Sequence, residues 1–176
     1  MPMMKRRRSE QAAAAPFEWV SSSAEQTQRF GEQLGRLLHP GDVVAFHGDL
    51  GSGKTTLIQG IARGLGRDSS QVKSPTFVIM REYSGNVPLV HIDGYRLEGP
   101  SSAAWLDLDL IFSPSKVTLI EWAERLQGLL PEERFEVRLS HVSTNRRRVQ
   151  VTPVGIRAGK LLGQLKDAVS AAPSRG

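Results

Sequence analysis

Gly48-Asp49-Leu50-Gly51-Ser52-Gly53-Lys54-Thr55 matches G-x-x-x-x-G-K-[ST], the phosphate-binding P-loop. The glycines free backbone N–H groups to wrap a phosphate chain, and side chains at Gly51 and Gly53 would obstruct that wrap. Asp49, Leu50, Ser52 and Thr56 belong to the same loop and the turn that follows it. Lys54 reaches the β- and γ-phosphates, and the Thr55 hydroxyl ligates Mg²⁺. The flanks agree with the motif. Asp42 to His47 is an apolar run that predicts a strand buried on both faces. Leu57, Ile58, Ile61 and Leu65 recur at helical spacing, and Gly66 is a stop. A phosphate would therefore sit at the positive end of a helix.

The rest of the chain predicts one α/β domain. Phe17 to Val20 suits a short strand, and Ser22-x-x-Glu25 suits a capping box. That box opens a helix with Phe30, Leu34, Leu37 and Leu38 on one face, ended by His39-Pro40-Gly41. Arg67 to Pro75 is loop-like. Thr76 to Tyr83 and Val87 to Ile92 predict two strands, and the turn Ser84-Gly85-Asn86 makes them a hairpin. Short helical pieces are expected over Ala103 to Phe112, a buried strand over Val117 to Ile120 and a helix over Ala123 to Leu130. Phe135 to Val142 and Val149 to Val154 predict strands around Arg146-Arg147-Arg148, and Ala158 to Val169 a last helix. The order mixes parallel βαβ units with antiparallel hairpins. The expected fold is a P-loop NTPase-like three-layer domain with a mixed parallel/antiparallel central sheet, its ligand at the carboxyl ends of the strands.

Composition sets limits. With 176 residues, one domain is expected: a basic tail over 1–16, the domain over 17–170 and a flexible end over 171–176. The net charge is +5, but Lys5, Arg6, Arg7 and Arg8 supply four of those charges. The high pI is thus mostly a property of the tail and says little about nucleic-acid binding by the body. Cysteine is absent, which excludes disulfides and thiolate metal sites and suits a reducing compartment. No apolar run approaches a membrane span. The cluster Arg146 to Arg148 suits a solvated hairpin, a phosphate contact or an RNA contact.

A P-loop needs an acidic partner at the end of a buried strand. Asp93 ends Val87 to Asp93, and Glu121 follows Val117 to Ile120. Two carboxylates at one site permit one to hold the metal shell and the other to orient water. Each could instead cap a strand or pair with Arg96 or Arg125. Trp122 beside Glu121 could stack on a purine, an interaction worth about 1–3 kcal/mol in nucleic-acid systems, or belong to the core. Ser74-Pro75-Thr76 could bring a hydroxyl to the γ-phosphate or simply turn the chain. His91, two residues before Asp93, shares its face. No Asn-Lys-x-Asp motif marks a guanine-reading GTPase, and no Arg-rich helical lid marks a small-molecule kinase.

Gly-Asp-Leu-Gly-Ser-Gly-Lys-Thr-Thr at 48–56, Ser-Pro-Thr-Phe at 74–77, His-x-Asp-x-Tyr-Arg-Leu at 91–97 and Glu-Trp at 121–122 occur in order. The combination closely resembles the bacterial TsaE family over about Ser21 to Val154. The resemblance implies a cytoplasmic ATPase of tRNA threonylcarbamoyladenosine biosynthesis. It implies ATP and Mg²⁺ as cofactors, TsaD-like and TsaB-like proteins as partners, and contact with tRNA only through that complex. By motif position, Lys54 would bind phosphate, and Thr55 and Glu121 would hold Mg²⁺. Asp93 would serve the metal shell or the attacking water, Thr76 would be a switch residue, and Trp122 would stack on adenine. Two features depart from the family pattern. Gly94 replaces a leucine and would loosen the backbone beside Asp93, and Leu106-Asp107-Leu108 stands where the family has Leu-Gly-Leu. The alternatives are a small-molecule P-loop kinase and a non-catalytic nucleotide-binding adaptor.

Overall fold

The computed structural model describes residues 14–75 and 79–172, so Lys5 to Arg8 and Thr76 lie outside the described residues. The chain runs β1 (Phe17–Ser21), α1 (Ala24–Leu37), β2 (Val43–His47), α2 (Lys54–Gly64), β3 (Met80–Tyr83) and β4 (Leu89–Asp93). It continues through α3 (Leu108–Ile111), β5 (Val117–Glu121), β6 (Arg134–His141), β7 (Arg147–Val154) and α4 (Ile156–Ala171). One seven-stranded sheet has the order β1-β7-β6-β2-β5-β4-β3. The core β6-β2-β5-β4 is parallel. Its flanks β1-β7, β7-β6 and β4-β3 are antiparallel. The expected mixed α/β sheet is therefore observed.

Alternation along the strands splits the core in two. Val44 and Phe46 of β2, with Leu119 of β5, face the layer made by α1, α2 and α4. Val43, Ala45 and Ile120 face the other way, onto Leu97, Leu106, Ile111 and Leu126. That second layer consists of short pieces: α3 and 3₁₀ turns at Pro100–Ala103 and Ala123–Leu126.

Three local expectations need correction. The cap of α1 is Ser23, not Ser22. Ser23 Oγ accepts from Gln26 N at 3.1 Å, while Ser22 N donates to Gln26 Oε1 at 2.8 Å. The cap thus sits one residue later, with Gln26 in the position given to Glu25 and its side chain reaching back to the N–H of the residue before the cap. The helix expected over 123–130 is one 3₁₀ turn, because Gln127 leaves the helical region (φ −55°, ψ 134°) and Gly128 after it is left-handed (φ +86°). The strand expected from Thr76 begins, among the described residues, at Met80.

The packing between α1 and α2 is close, and glycines make it possible. A Cβ on Gly35 would lie 2.2 Å from the Ile61 carbonyl oxygen, and one on Gly60 would lie 2.1 Å from that of Gln28. Gly31 and Gly64 are equally tight against Leu57 and Glu32. Backbone therefore meets backbone where the first helix crosses the P-loop helix. At the opposite end of the sheet, Arg157 of α4 grips Asp42 through two hydrogen bonds of 2.8 and 3.0 Å.

Candidate functional site

The P-loop joins the end of β2 to the start of α2. Gly53 is the N-cap of α2 with φ +104°, a conformation that favours glycine. At Gly51 no protein atom crowds the Cβ position, and a φ of +75° makes the demand for glycine conformational. Crowding falls instead on Gly48, where a Cβ would lie 2.5 Å from the Leu139 carbonyl oxygen. Lys54 folds back over the loop, donating to the Asp49 carbonyl at 2.9 Å and to that of Gly48. Its ammonium lies 4.3 Å from the centroid of the Trp122 ring. Burial lowers the Lys54 pKa, opposed by the charges of Glu121, Glu124, Asp93 and Asp49.

The two strand-end carboxylates meet as the parallel register of β4 and β5 requires. Asp93 pairs with Glu121 across the ladder, and each is 2 % exposed. Both sit on the α2 side of the sheet, the side of Leu89 and Leu119. Thr55 Oγ1 donates to Glu121 Oε1 at 2.8 Å. The Ser74 hydroxyl lies 2.7 Å from Asp93 Oδ2 and 3.0 Å from Glu121 Oε2, bridging the pair. Tyr95 N fixes the other oxygen of Asp93 at 2.9 Å. His91, fully buried on the same face, places Nε2 3.5 Å from Glu121 Oε2.

Gly94 does not loosen Asp93. Its N–H donates to the Glu121 carbonyl at 2.9 Å, and a Cβ there would come within 2.8 Å of the Trp122 carbonyl oxygen. Gly94 therefore lets the chain after β4 lie flat against the chain after β5. Beside both carboxylates the backbone is strained: Ile79 (φ +68°) and Trp122 (φ +55°) are the non-glycine residues with positive φ among the described residues. The Ile79 carbonyl accepts from Asp93 N at 2.8 Å. Left-handed non-glycine residues cost about 1–3 kcal/mol each and concentrate at functional sites.

These groups line one cavity of about 400 Å³, which collects Leu50, Lys54, Thr55, Asp93, Glu121 and Trp122 together with Thr56 and the loop residues Gly51 to Gly53. Asp49 contributes its carbonyl to Lys54, and Thr76 lies outside the described residues. Sequence reasoning gave no separate part to Ser74 or Tyr95, which also line the cavity. The Tyr95 ring lies 5.1 Å from that of Trp122. Among the described residues there is no cage of three or more His, Cys, Asp or Glu side chains for a metal. Mg²⁺ does not need one. It takes oxygen donors in octahedral array, with one or two carboxylates and the rest from phosphates and water. The Thr55 hydroxyl and two buried carboxylates fit that donor set.

On the opposite face of β2, His47 sits just before the loop. Its ring nitrogens face Glu124, at 3.2 Å, and Glu136. Burial pushes the Glu136 carboxyl up, but hydrogen bonds from His47 and Arg134 outweigh it and hold the pKa below its ordinary value. No helix among the described residues is long and apolar enough to cross a membrane.

The family model described as "Threonylcarbamoyl adenosine biosynthesis protein TsaE" matches residues 21–149. A Bacillus subtilis (strain 168) protein named "tRNA threonylcarbamoyladenosine biosynthesis protein TsaE" is 38% identical over 150 residues, covering 85% of this chain and 93% of its own. A Streptomyces coelicolor protein of the same name is 41% identical over 138 residues, covering 74% and 92%. The crystal structure of Bacillus subtilis YdiB superposes with a TM-score of 0.75 at 33% identity, covering 88% of this chain and 97% of that one.

Proposed function

The chain belongs to the TsaE family of tRNA threonylcarbamoyladenosine biosynthesis, and from that premise we propose that it is the pathway's ATP-binding and ATP-hydrolysing subunit. The observation that carries the reading is the continuous string Thr55–Glu121–Ser74–Asp93, closed by hydrogen bonds at the mouth of the P-loop. Lys54 holds the β- and γ-phosphates, and the N–H groups at the start of α2 hold the chain of phosphate oxygens. Thr55 and Glu121 would hold Mg²⁺, and Asp93 would complete its shell or hold the attacking water. When bound, Mg²⁺ neutralises charge on the β- and γ-phosphate oxygens. Asp93, pinned by Tyr95 N and Ser74, orients a water whose oxygen bonds to the terminal phosphorus as the bond to the β–γ bridging oxygen breaks, the water's proton passing to the released phosphate. The products are ADP and phosphate.

Such a site, open and with no lid of its own among the described residues, suits weak turnover raised by partners. The family implies TsaD-like and TsaB-like proteins as those partners, tRNA met through them, and a cytoplasmic setting. The test is phosphate release from Mg-ATP with and without a matched TsaD–TsaB pair. Slow turnover that the pair stimulates is expected. Asp93→Ala is expected to keep nucleotide binding and lose turnover, and Lys54→Ala to lose binding. Wild-type turnover in Lys54→Ala, or no effect of the partners, would overturn the assignment.

A further inference from the structure

His91 is fully buried, yet neither of its ring nitrogens has a hydrogen-bond partner among the described residues. A buried polar group left unpaired costs free energy, and such a group in a folded protein calls for an explanation. The strand gives it a direction. His91 lies two residues before Asp93 in β4, so both face α2. Across the parallel ladder His91 pairs with Leu119, as Asp93 pairs with Glu121. The ring therefore stands one step down the strands from the two carboxylates.

The carboxylate of Glu121 is served unequally. Its Oε1 accepts from the Thr55 hydroxyl at 2.8 Å. Its Oε2 depends on Ser74 at 3.0 Å, but the same hydroxyl lies 2.7 Å from Asp93 Oδ2 and carries one hydrogen. Whenever Ser74 donates to Asp93, Oε2 is left with His91 Nε2, 3.5 Å away. That separation is long for a hydrogen bond, and catalytic hydrogen bonds of this length often tighten once a ligand is bound. The surroundings also choose where the ring carries its hydrogen. A hydrogen on Nδ1 alone would point at no acceptor and set the Nε2 lone pair against a carboxylate oxygen. A hydrogen on Nε2 faces that oxygen and leaves only an acceptor unpaired.

We propose that His91 is a positioning residue for Glu121. Its Nε2–H holds Oε2 from behind, so that Oε1, the oxygen beside Thr55, is the one presented to a magnesium ion. Groups that orient a metal ligand in this way set metal affinity, and removing one typically costs about 10–100-fold. One strand face then delivers a carboxylate and, two residues earlier, the donor that orients the neighbouring carboxylate on β5. The proposal rests on the nucleotide and magnesium reading given above.

Nuclear magnetic resonance spectra of the protein labelled with nitrogen-15 histidine read the tautomer in the wild type, so this arm requires no variant to fold. A hydrogen on Nε2 of His91 is expected, and a hydrogen on Nδ1 alone would overturn the proposal. Calorimetric titration with ADP over a range of magnesium concentrations reads the consequence. His91→Leu is expected to need about tenfold more magnesium for the same gain in ADP affinity, with ADP binding in EDTA unchanged. His91→Gln, whose amide nitrogen can stand where Nε2 does, is expected to keep the wild-type requirement. A wild-type requirement in His91→Leu, or an equal loss in His91→Gln, would also overturn the proposal. Failure of the wild type to bind ADP, or binding indifferent to magnesium, would instead remove the reading on which it rests.

Discussion

At Gly94 a missing side chain decides how two strand ends fit together. A Cβ there would come within 2.8 Å of the Trp122 carbonyl oxygen and 3.3 Å of the Glu121 carbonyl oxygen. Neither neighbour can yield freely, because Trp122 is already left-handed. Gly94→Leu is expected to lower stability by about 1–3 kcal/mol, as overpacking does, and to change the fluorescence of Trp122. Urea unfolding and emission spectra check both, and a variant equal to wild type in both would show that the segment after β5 can move. The carboxylates Asp93 and Glu121 were legible in the sequence because each ends an apolar run, and a parallel sheet delivers such ends to one crevice. Ser74 was not assigned its bridge. A serine in a Ser-Pro turn looks the same whether its hydroxyl meets water or two carboxylates 19 and 47 residues away. Tyr95 was hidden for a similar reason: its useful group toward Asp93 is a backbone N–H, which carries no residue signature.

At the level of elements, apolar periodicity located α1 and α2 but not how they meet. The pattern of Phe30 and Leu34 marks a buried face; it does not say that the contact is made by Gly31 and Gly35 against Gly60 and Gly64. Four-residue spacing of glycine in both helices was the available signal, since residues four apart share a helix face. Two effects compete at these positions. Alanine is favoured over glycine in a helix interior by about 1 kcal/mol, while forcing atoms into a packed contact costs about 1–3 kcal/mol or more. With a Cβ 2.1 Å from a carbonyl oxygen, the second wins. Gly60→Ala is expected to destabilise the protein despite its better helix propensity, whereas Gly163→Ala in α4, where a Cβ meets nothing, is expected to be neutral or stabilising. Denaturant midpoints of the two variants check the contrast, and equal midpoints would mean the helices separate at little cost. The helix expected at 123–130 stops at Leu126 because Gln127 leaves the helical region (ψ 134°) and Gly128 is left-handed (φ +86°).

For the whole molecule, ligand and proton binding both couple to unfolding. A nucleotide present at 100 times its dissociation constant adds about 2.7 kcal/mol to stability, which for a domain of this size raises the melting temperature by roughly 5–10 °C. Mg-ATP is expected to give that shift to the wild type and not to Lys54→Ala; a thermal scan without a shift in the wild type would count against nucleotide binding. The pH dependence has a definite sign. The Glu136 pKa is depressed in the folded state from its ordinary value of 4.5. Its contribution is therefore complete above that value and is lost as pH falls through the lower, folded value. Stability of wild type and Glu136→Gln is expected to converge as the medium becomes strongly acidic. Curves that stay parallel into that range would sink the idea. At this scale the mixed sheet was legible from the order of runs and turns. The strand order was not, since no local pattern tells β6 to lie beside β2.

The glycine crossing of α1 and α2 also bears on how the nucleotide proposed above would leave. The start of α2 walls the cavity of the site, and main chain locks this helix to α1 without intervening side chains to slide or repack. A hinge needs a compliant joint, and this one has none. Amide protons along the crossing are expected to exchange slowly with solvent deuterium. Release of the nucleotide proposed above would then be left to the opposite wall, where Ser74, Ile79 and Tyr95 each hydrogen-bond to Asp93.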